Sequence, residues 1–207
     1  MSKNVAVVFG GSFNPPTLAH VNLLEEAIKQ LDASFGIFVP ASNNYVSNKA
    51  VAKGIDLIFS EEARFQMLRT ICAKHNNMYV STCEYGDDGK GHTCTTLFKI
   101  HSKLPNYKLV FLIGADNLHE IPTWRNSESM LDSYVEFAVT NRNGIDIDEV
   151  INNDEFLTKY KDKFHKVLVS DAMSKISSTK VRKMTAEMDI ESLRSMMDPD
   201  TIKFLPI

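Results

Sequence analysis

The sequence is short of most features that mark special classes of protein. It has three cysteines, Cys72, Cys83 and Cys94, and no two stand in a CxxC spacing. That argues against a zinc knuckle and against a disulfide-built secreted scaffold. An odd, low count fits a reducing, cytoplasmic setting. No apolar run is long enough to span a bilayer, and the polar start MSKN does not read as a signal peptide. There is no excess of positive charge: 23 Lys and Arg face 26 Asp and Glu, for a net charge of −3. Bulk attraction to nucleic acid or to an anionic membrane is therefore not expected. Internal repeats and low-complexity tracts are missing too.

Familiar nucleotide and nucleophile motifs are also lacking. The chain has no GxGxxG dinucleotide turn, no GK[ST] phosphate loop and no GxSxG elbow. What it does have is short apolar runs that stop at glycine or proline. Val5–Phe9 ends at Gly10-Gly11, Phe35–Val39 at Pro40, and Lys108–Ile113 at Gly114. Met78–Thr82, Tyr134–Thr140 and Lys166–Val169 are further strand candidates. Helical periodicity lies between them: Leu18 to Leu31, Ser60 to about His75, Thr93–Leu104 and Asp148–Lys163. Ser178–Glu187, Ile190–Met196 and Asp200–Leu205 give a helical C-terminal end. Pro40–Ser60, rich in Asn, Ser and Lys, reads as a long mobile loop. Alternating strands and helices predict one α/β domain over residues 1–207. It is Rossmann-like and doubly wound, with a mainly parallel sheet and helices on both faces. Ligands then bind at the carboxyl ends of the strands, where Gly10, Gly11 and Gly114 fall.

Two segments at such positions carry more than a turn requires. In Gly10–His20 (GGSFNPPTLAH) the glycines permit close backbone approach and positive φ, and Pro15-Pro16 stiffen the entry to a helix. Helix N-termini favour phosphate. Thr17 and His20, three apart, share a face and can bind one anion. In Ile176–Arg182 (ISSTKVR), hydroxyls, a helix start and an arginine suit a triphosphate.

These segments resemble the signatures of the nicotinate/nicotinamide mononucleotide adenylyltransferases, a family of the (H/T)xxH nucleotidyltransferase superfamily. Weaker resemblances lie between them: Gly114-Ala115-Asp116 with Pro122 and Trp124, Thr93–Leu97 (TCTTL), and Asn141–Gly144 (NRNG). The family implies direct transfer of AMP from ATP to a pyridine mononucleotide in NAD biosynthesis. It implies His20 and Thr17 at the α-phosphate, with Gly10, Gly11, Ser12, Phe13, Ser177, Ser178, Thr179 and Arg182 around the phosphates of ATP. Asn14, Thr93, Gly114, Asp116, Trp124 and Arg142 would serve the mononucleotide, with Trp124 stacked on the pyridine. Mg²⁺ would be held by substrate phosphates, with no dedicated protein ligand. Neither nucleic acid nor membrane is an expected partner, and homo-oligomer formation is left open.

The match has departures. Thr17 stands where many bacterial members have histidine. The loop PASNNYVSNK lacks the usual proline-histidine-lysine run, so Lys49 is the chosen phosphate lysine and Lys53 its alternative. Thr95 replaces a usual acidic residue. The eight-position step from Asp116 to Trp124 resembles the nicotinate-preferring bacterial members, whereas the GSFNP-x-T stretch resembles members that also accept the nicotinamide form; nicotinate mononucleotide is the expected acceptor, with nicotinamide mononucleotide left open. Other readings are transfer to pantetheine phosphate or a cytidylyl acceptor, and a nucleotide sensor without turnover.

Overall fold

All six runs read as strands form strands in the computed structural model, which describes residues 4–55, 57–86, 92–141, 144–170, 173 and 175–206. They are β1 (Val5–Gly11), β2 (Phe35–Pro40), β3 (Met78–Val80), β4 (Lys108–Gly114), β5 (Val135–Thr140) and β6 (Phe164–Val167). The sheet order is β3-β2-β1-β4-β5-β6. The pairings of β1 with β4, β4 with β5 and β5 with β6 are all parallel. The order reverses at β1 and β4, and right-handed crossovers in the two directions put helices on opposite faces. This is the expected Rossmann-like α/β fold.

Contacts divide the chain into two units that interleave along the sequence. The first holds residues 1–9, 23–36 and 92–169. Its core holds the buried middle of the strands, such as Val7, Leu112 and Phe137, together with the buried helix residues Leu24, Leu97 and Leu118. Gly36 is required here by close packing. A Cβ on it would lie 2.6 Å from Leu24 Cδ1 and 2.9 Å from Ile28 Cδ1. Asp148–Lys163, read as one helical stretch, is broken into Ile147–Asn152 and Glu155–Lys159. Asn153 ends the first, and Asp154 caps the second by accepting from Leu157 N.

The second unit holds residues 10–22, 37–91 and 170–207. Its helical end is real: Phe59, Met67, Val181, Leu193, Met197 and Leu205 form one buried cluster. One expectation fails. Pro40–Ser60 is not a loop throughout, because Asn43–Lys53 forms a helix. Ser42 caps its start and Gly54, at φ 60°, its end. Only Val46 and Ala50, one turn apart, are buried along it. So narrow a stripe hides the helical period in a polar sequence.

Candidate active site

Within the second unit the glycine turn differs from its sequence reading. Gly10 and Gly11 continue β1 and need no positive φ; the left-handed residue is Phe13, at φ 44°. Gly11 is small for another reason: a Cβ there would lie 3.1 Å from Phe13 Cζ. The Phe13 ring, 2% exposed, stands edge-on to Phe38 at 5.4 Å and to His20 at 5.1 Å. It therefore buttresses the histidine.

His20 and Thr17 are joined, as their spacing suggests, but as a positioned pair. Thr17 precedes the helix Leu18–Gln30 and His20 lies in its first turn. His20 Nδ1 accepts from Thr17 N at 3.0 Å and lies 2.8 Å from Thr17 Oγ1. This is one half of a capping box, with histidine in place of the usual Glu or Gln. A backbone N–H can only donate, so Nδ1 holds a lone pair and Nε2 carries the proton. Thr17 is 1% exposed and its hydroxyl faces the imidazole. Its place is behind the histidine rather than beside it as a second anion ligand.

Asn14 is 5% exposed, and both ends of its amide hold the 57–59 segment. Nδ2 donates to Leu57 O at 3.0 Å, and Oδ1 accepts from Phe59 N at 2.8 Å. In this structure the side chain shapes the turn, a different task from the mononucleotide contact that the resemblance implies.

The ISSTKVR segment is tied to the same turn. Ser177 caps the helix Ser178–Ala186 by accepting from Lys180 N. Ser178 Oγ donates to Pro15 O at 2.8 Å. Arg182 donates to Asn14 O at 2.7 Å and to Thr179 Oγ1 at 3.0 Å. Partial burial pushes the Arg182 guanidinium down from its ordinary value. The two signatures are thus hydrogen-bonded to each other. Lys49 and Lys53 are both exposed and one turn apart on the helix Asn43–Lys53. Lys49 also lies over the Tyr45 ring at 5.8 Å.

Sequence reasoning missed Arg64. It is completely buried and donates to Ser12 O, Asn43 Oδ1 and Phe59 O. The signal was there: Arg64, Met67, Leu68 and Ile71 form one helical stripe, and a charge on an apolar stripe has work to do.

In the first unit, Gly114 ends β4 and Asp116 opens the 3-10 helix Ala115–Thr123. Asn117 Nδ2 donates to the Asp116 carboxylate at 3.2 Å. Trp124 is half-buried, with its ring 6.2 Å from Phe111 and 6.0 Å from Phe137. It is anchored in the core while keeping some exposed surface. Thr93, half-buried, starts the helix Thr93–Lys103. Arg142 lies outside the described residues.

Comparison with known proteins places the chain in a family. The family profile described as "Cytidylyltransferase-like" matches residues 8–184. "Probable nicotinate-nucleotide adenylyltransferase" of Carboxydothermus hydrogenoformans is 32% identical over 87% of this chain and 85% of its own length. The protein of the same name from Lachnoclostridium phytofermentans is 28% identical, over 87% and 86%. Among solved structures, the Plasmodium falciparum nicotinic acid mononucleotide adenylyltransferase complexed with NaAD shares the fold. Its TM-score is 0.69 at 20% identity, covering 97% of this chain and 94% of that one. The chain belongs to the cytidylyltransferase-like family and to the nicotinate-nucleotide adenylyltransferases.

Proposed function

We propose that this protein transfers AMP from ATP to nicotinate mononucleotide, giving the dinucleotide and pyrophosphate. The names of its relatives supply the acceptor. The observation that carries the chemistry is the Thr17–His20 pair, which fixes the tautomer of a histidine at a helix start beside the glycine turn. In the reaction, a phosphate oxygen of the mononucleotide bonds to the α-phosphorus of ATP. The bond from that phosphorus to the bridging oxygen breaks, and pyrophosphate leaves with the electron pair.

His20 Nε2–H donates to an α-phosphate oxygen as negative charge builds there. A donor already held in place stabilises that charge without reorganising. The N-terminus of the helix Ser178–Ala186, with Ser177, Ser178, Thr179 and Arg182, faces the outer phosphates. Arg182 can do so because its guanidinium has N–H groups beyond those that grip the turn. In the first unit, Asp116 binds a ribose hydroxyl and Trp124 stacks on the pyridine, with Thr93 near the ring substituent. Among the described residues no three His, Cys, Asp or Glu side chains converge to cage a metal. Mg²⁺ would arrive on the phosphates of ATP, where it keeps its waters and takes few protein ligands. When bound, the ion supplies charge neutralisation on the phosphates.

The test is pyrophosphate release with ATP or CTP against nicotinate mononucleotide, nicotinamide mononucleotide and pantetheine phosphate. We expect the highest kcat/KM with ATP and nicotinate mononucleotide, since that ratio defines specificity. Absence of turnover with both pyridine acceptors would sink the reading.

A further inference from the structure

Arg64 is buried like a core leucine but bonded like a clamp. It lies in the first turns of the helix Glu61–Cys72, above Met67, Leu68 and Ile71. Its exposure is 0%, and among the described residues no carboxylate makes a salt bridge to it, Glu61 acting on it through its charge alone. Instead Nε donates to Phe59 O at 3.2 Å, Nη1 to Ser12 O at 2.9 Å and Nη2 to Asn43 Oδ1 at 3.1 Å. The Tyr85 ring lies 5.9 Å from the guanidinium carbon. A buried cation bonded only to neutral oxygens costs stability that an apolar side chain would not. A role beyond packing is needed to explain it.

The bonds show what that role is. Ser12 is directly held, and Asn14 is held through Phe59, whose carbonyl accepts from Arg64 while its N–H donates to Asn14 Oδ1. Arg64 thus grips both neighbours of Phe13. A non-glycine residue at φ 44° is strained and persists only where its surroundings over-determine it. The Phe13 ring in turn rests edge-on against His20. In a trans peptide the C=O and the next N–H point oppositely. Drawing the Ser12 carbonyl toward the guanidinium therefore turns the Phe13 N–H to the other side of the turn.

We propose that Arg64 is a positioning residue for the adenylyl donor: it locks the Ser12–Asn14 turn so that ATP meets one backbone conformation and His20 one ring orientation. This rests on the adenylyltransferase reading for the identity of the ligand. The charge of Arg64 also places a fixed positive potential under the turn, which suits a polyphosphate.

The experiment measures binding of a non-hydrolysable ATP analogue and of nicotinate mononucleotide by calorimetry. The proteins are wild type, Arg64→Lys and Asn43→Ala, each checked for cooperative melting. Lysine keeps the charge but lacks the planar fork that reaches three oxygens. Small misplacement of a binding group costs up to about 100-fold. We expect Arg64→Lys to weaken the analogue about 10-fold or more while nicotinate mononucleotide stays within about 2-fold. Asn43→Ala removes one of the three acceptors and shifts the analogue the same way by a smaller factor. Equal affinity for the analogue in folded Arg64→Lys, or equal weakening of both ligands, overturns the proposal. A purely structural role lowers the active fraction and leaves both affinities unmoved. Should Arg64→Lys fail to fold, Asn43→Ala decides by the same comparison. The activity is tested separately: wild type that binds the analogue but releases no pyrophosphate refutes the function and leaves the Arg64 comparison standing.

Discussion

The segments 10–20 and 114–124 each follow a buried strand that ends in glycine, yet they are held in opposite ways. The first is irregular, with a left-handed Phe13; Arg64, Ser178 and Arg182 hold it from distant segments, and its own Asn14 reaches out to Leu57. The second continues directly from β4 into a 3-10 helix, with Leu118 and Ile121 buried and Trp124 leaning on Phe111 and Phe137. Polar clamps fix direction to a fraction of an ångström but fail singly, because each lost partner leaves a buried group unsatisfied. Apolar packing spreads its contribution over many contacts and yields gradually. The first device suits a transition state, the second a flat ring.

That contrast is broken most severely at His20. In His20→Ala we expect kcat to fall by about 100-fold to 1,000-fold, the cost of removing one preorganised donor. The melting temperature should stay near wild type. Rates close to wild type would remove His20 from the chemistry. Thr17→Val tests the pair rather than the donor. It keeps the backbone bond to Nδ1 but loses the hydroxyl. The expected drop in kcat is smaller, about 10-fold, matching one hydrogen bond of roughly 1–1.5 kcal/mol. Trp124→Ala should raise the KM for the mononucleotide and leave that for ATP unchanged. It should also lower stability, by about 2 kcal/mol for a half-buried aromatic. A stability loss with both KM values unmoved would make Trp124 a core residue only.

The sequence announced most of the sheet because its strands are short runs rich in apolar residues, three of which stop at glycine or proline. It announced the Thr17–His20 spacing because three residues is a helical neighbour distance. It could not show that Thr17 is buried behind the imidazole, since burial depends on Phe13 and the turn around it. The helix Asn43–Lys53 escaped notice because its apolar stripe is two residues wide. Its caps Ser42 and Gly54 were present in the sequence and were the better guide. Arg64 lay in plain sight on an apolar stripe, but its partners Ser12, Asn43 and Phe59 come from three separate stretches of chain. Only tertiary structure brings such oxygens together.

The smallest expected effect lies in the first unit and concerns acid rather than substrate. Glu136 lies mid-sheet on β5, its side chain largely covered, with Lys108 Nζ at 2.9 Å and His165 Nε2 at 2.6 Å. Burial pushes its carboxyl up, but the hydrogen bonds from Lys108 and His165 outweigh it, and the net direction is below the ordinary 4.5. A carboxyl held low in the folded state favours folding at a pH above its unfolded value. That contribution is lost as pH falls through the folded value, because the unfolded chain takes up the proton first. Urea unfolding of wild type and Glu136→Gln should therefore differ most near neutrality and converge below about pH 4. ATP affinity measured at neutral pH should not change, since the glutamate belongs to the unit held by packing. A stability gap that persists unchanged into acid would show that Glu136 contributes shape, not charge.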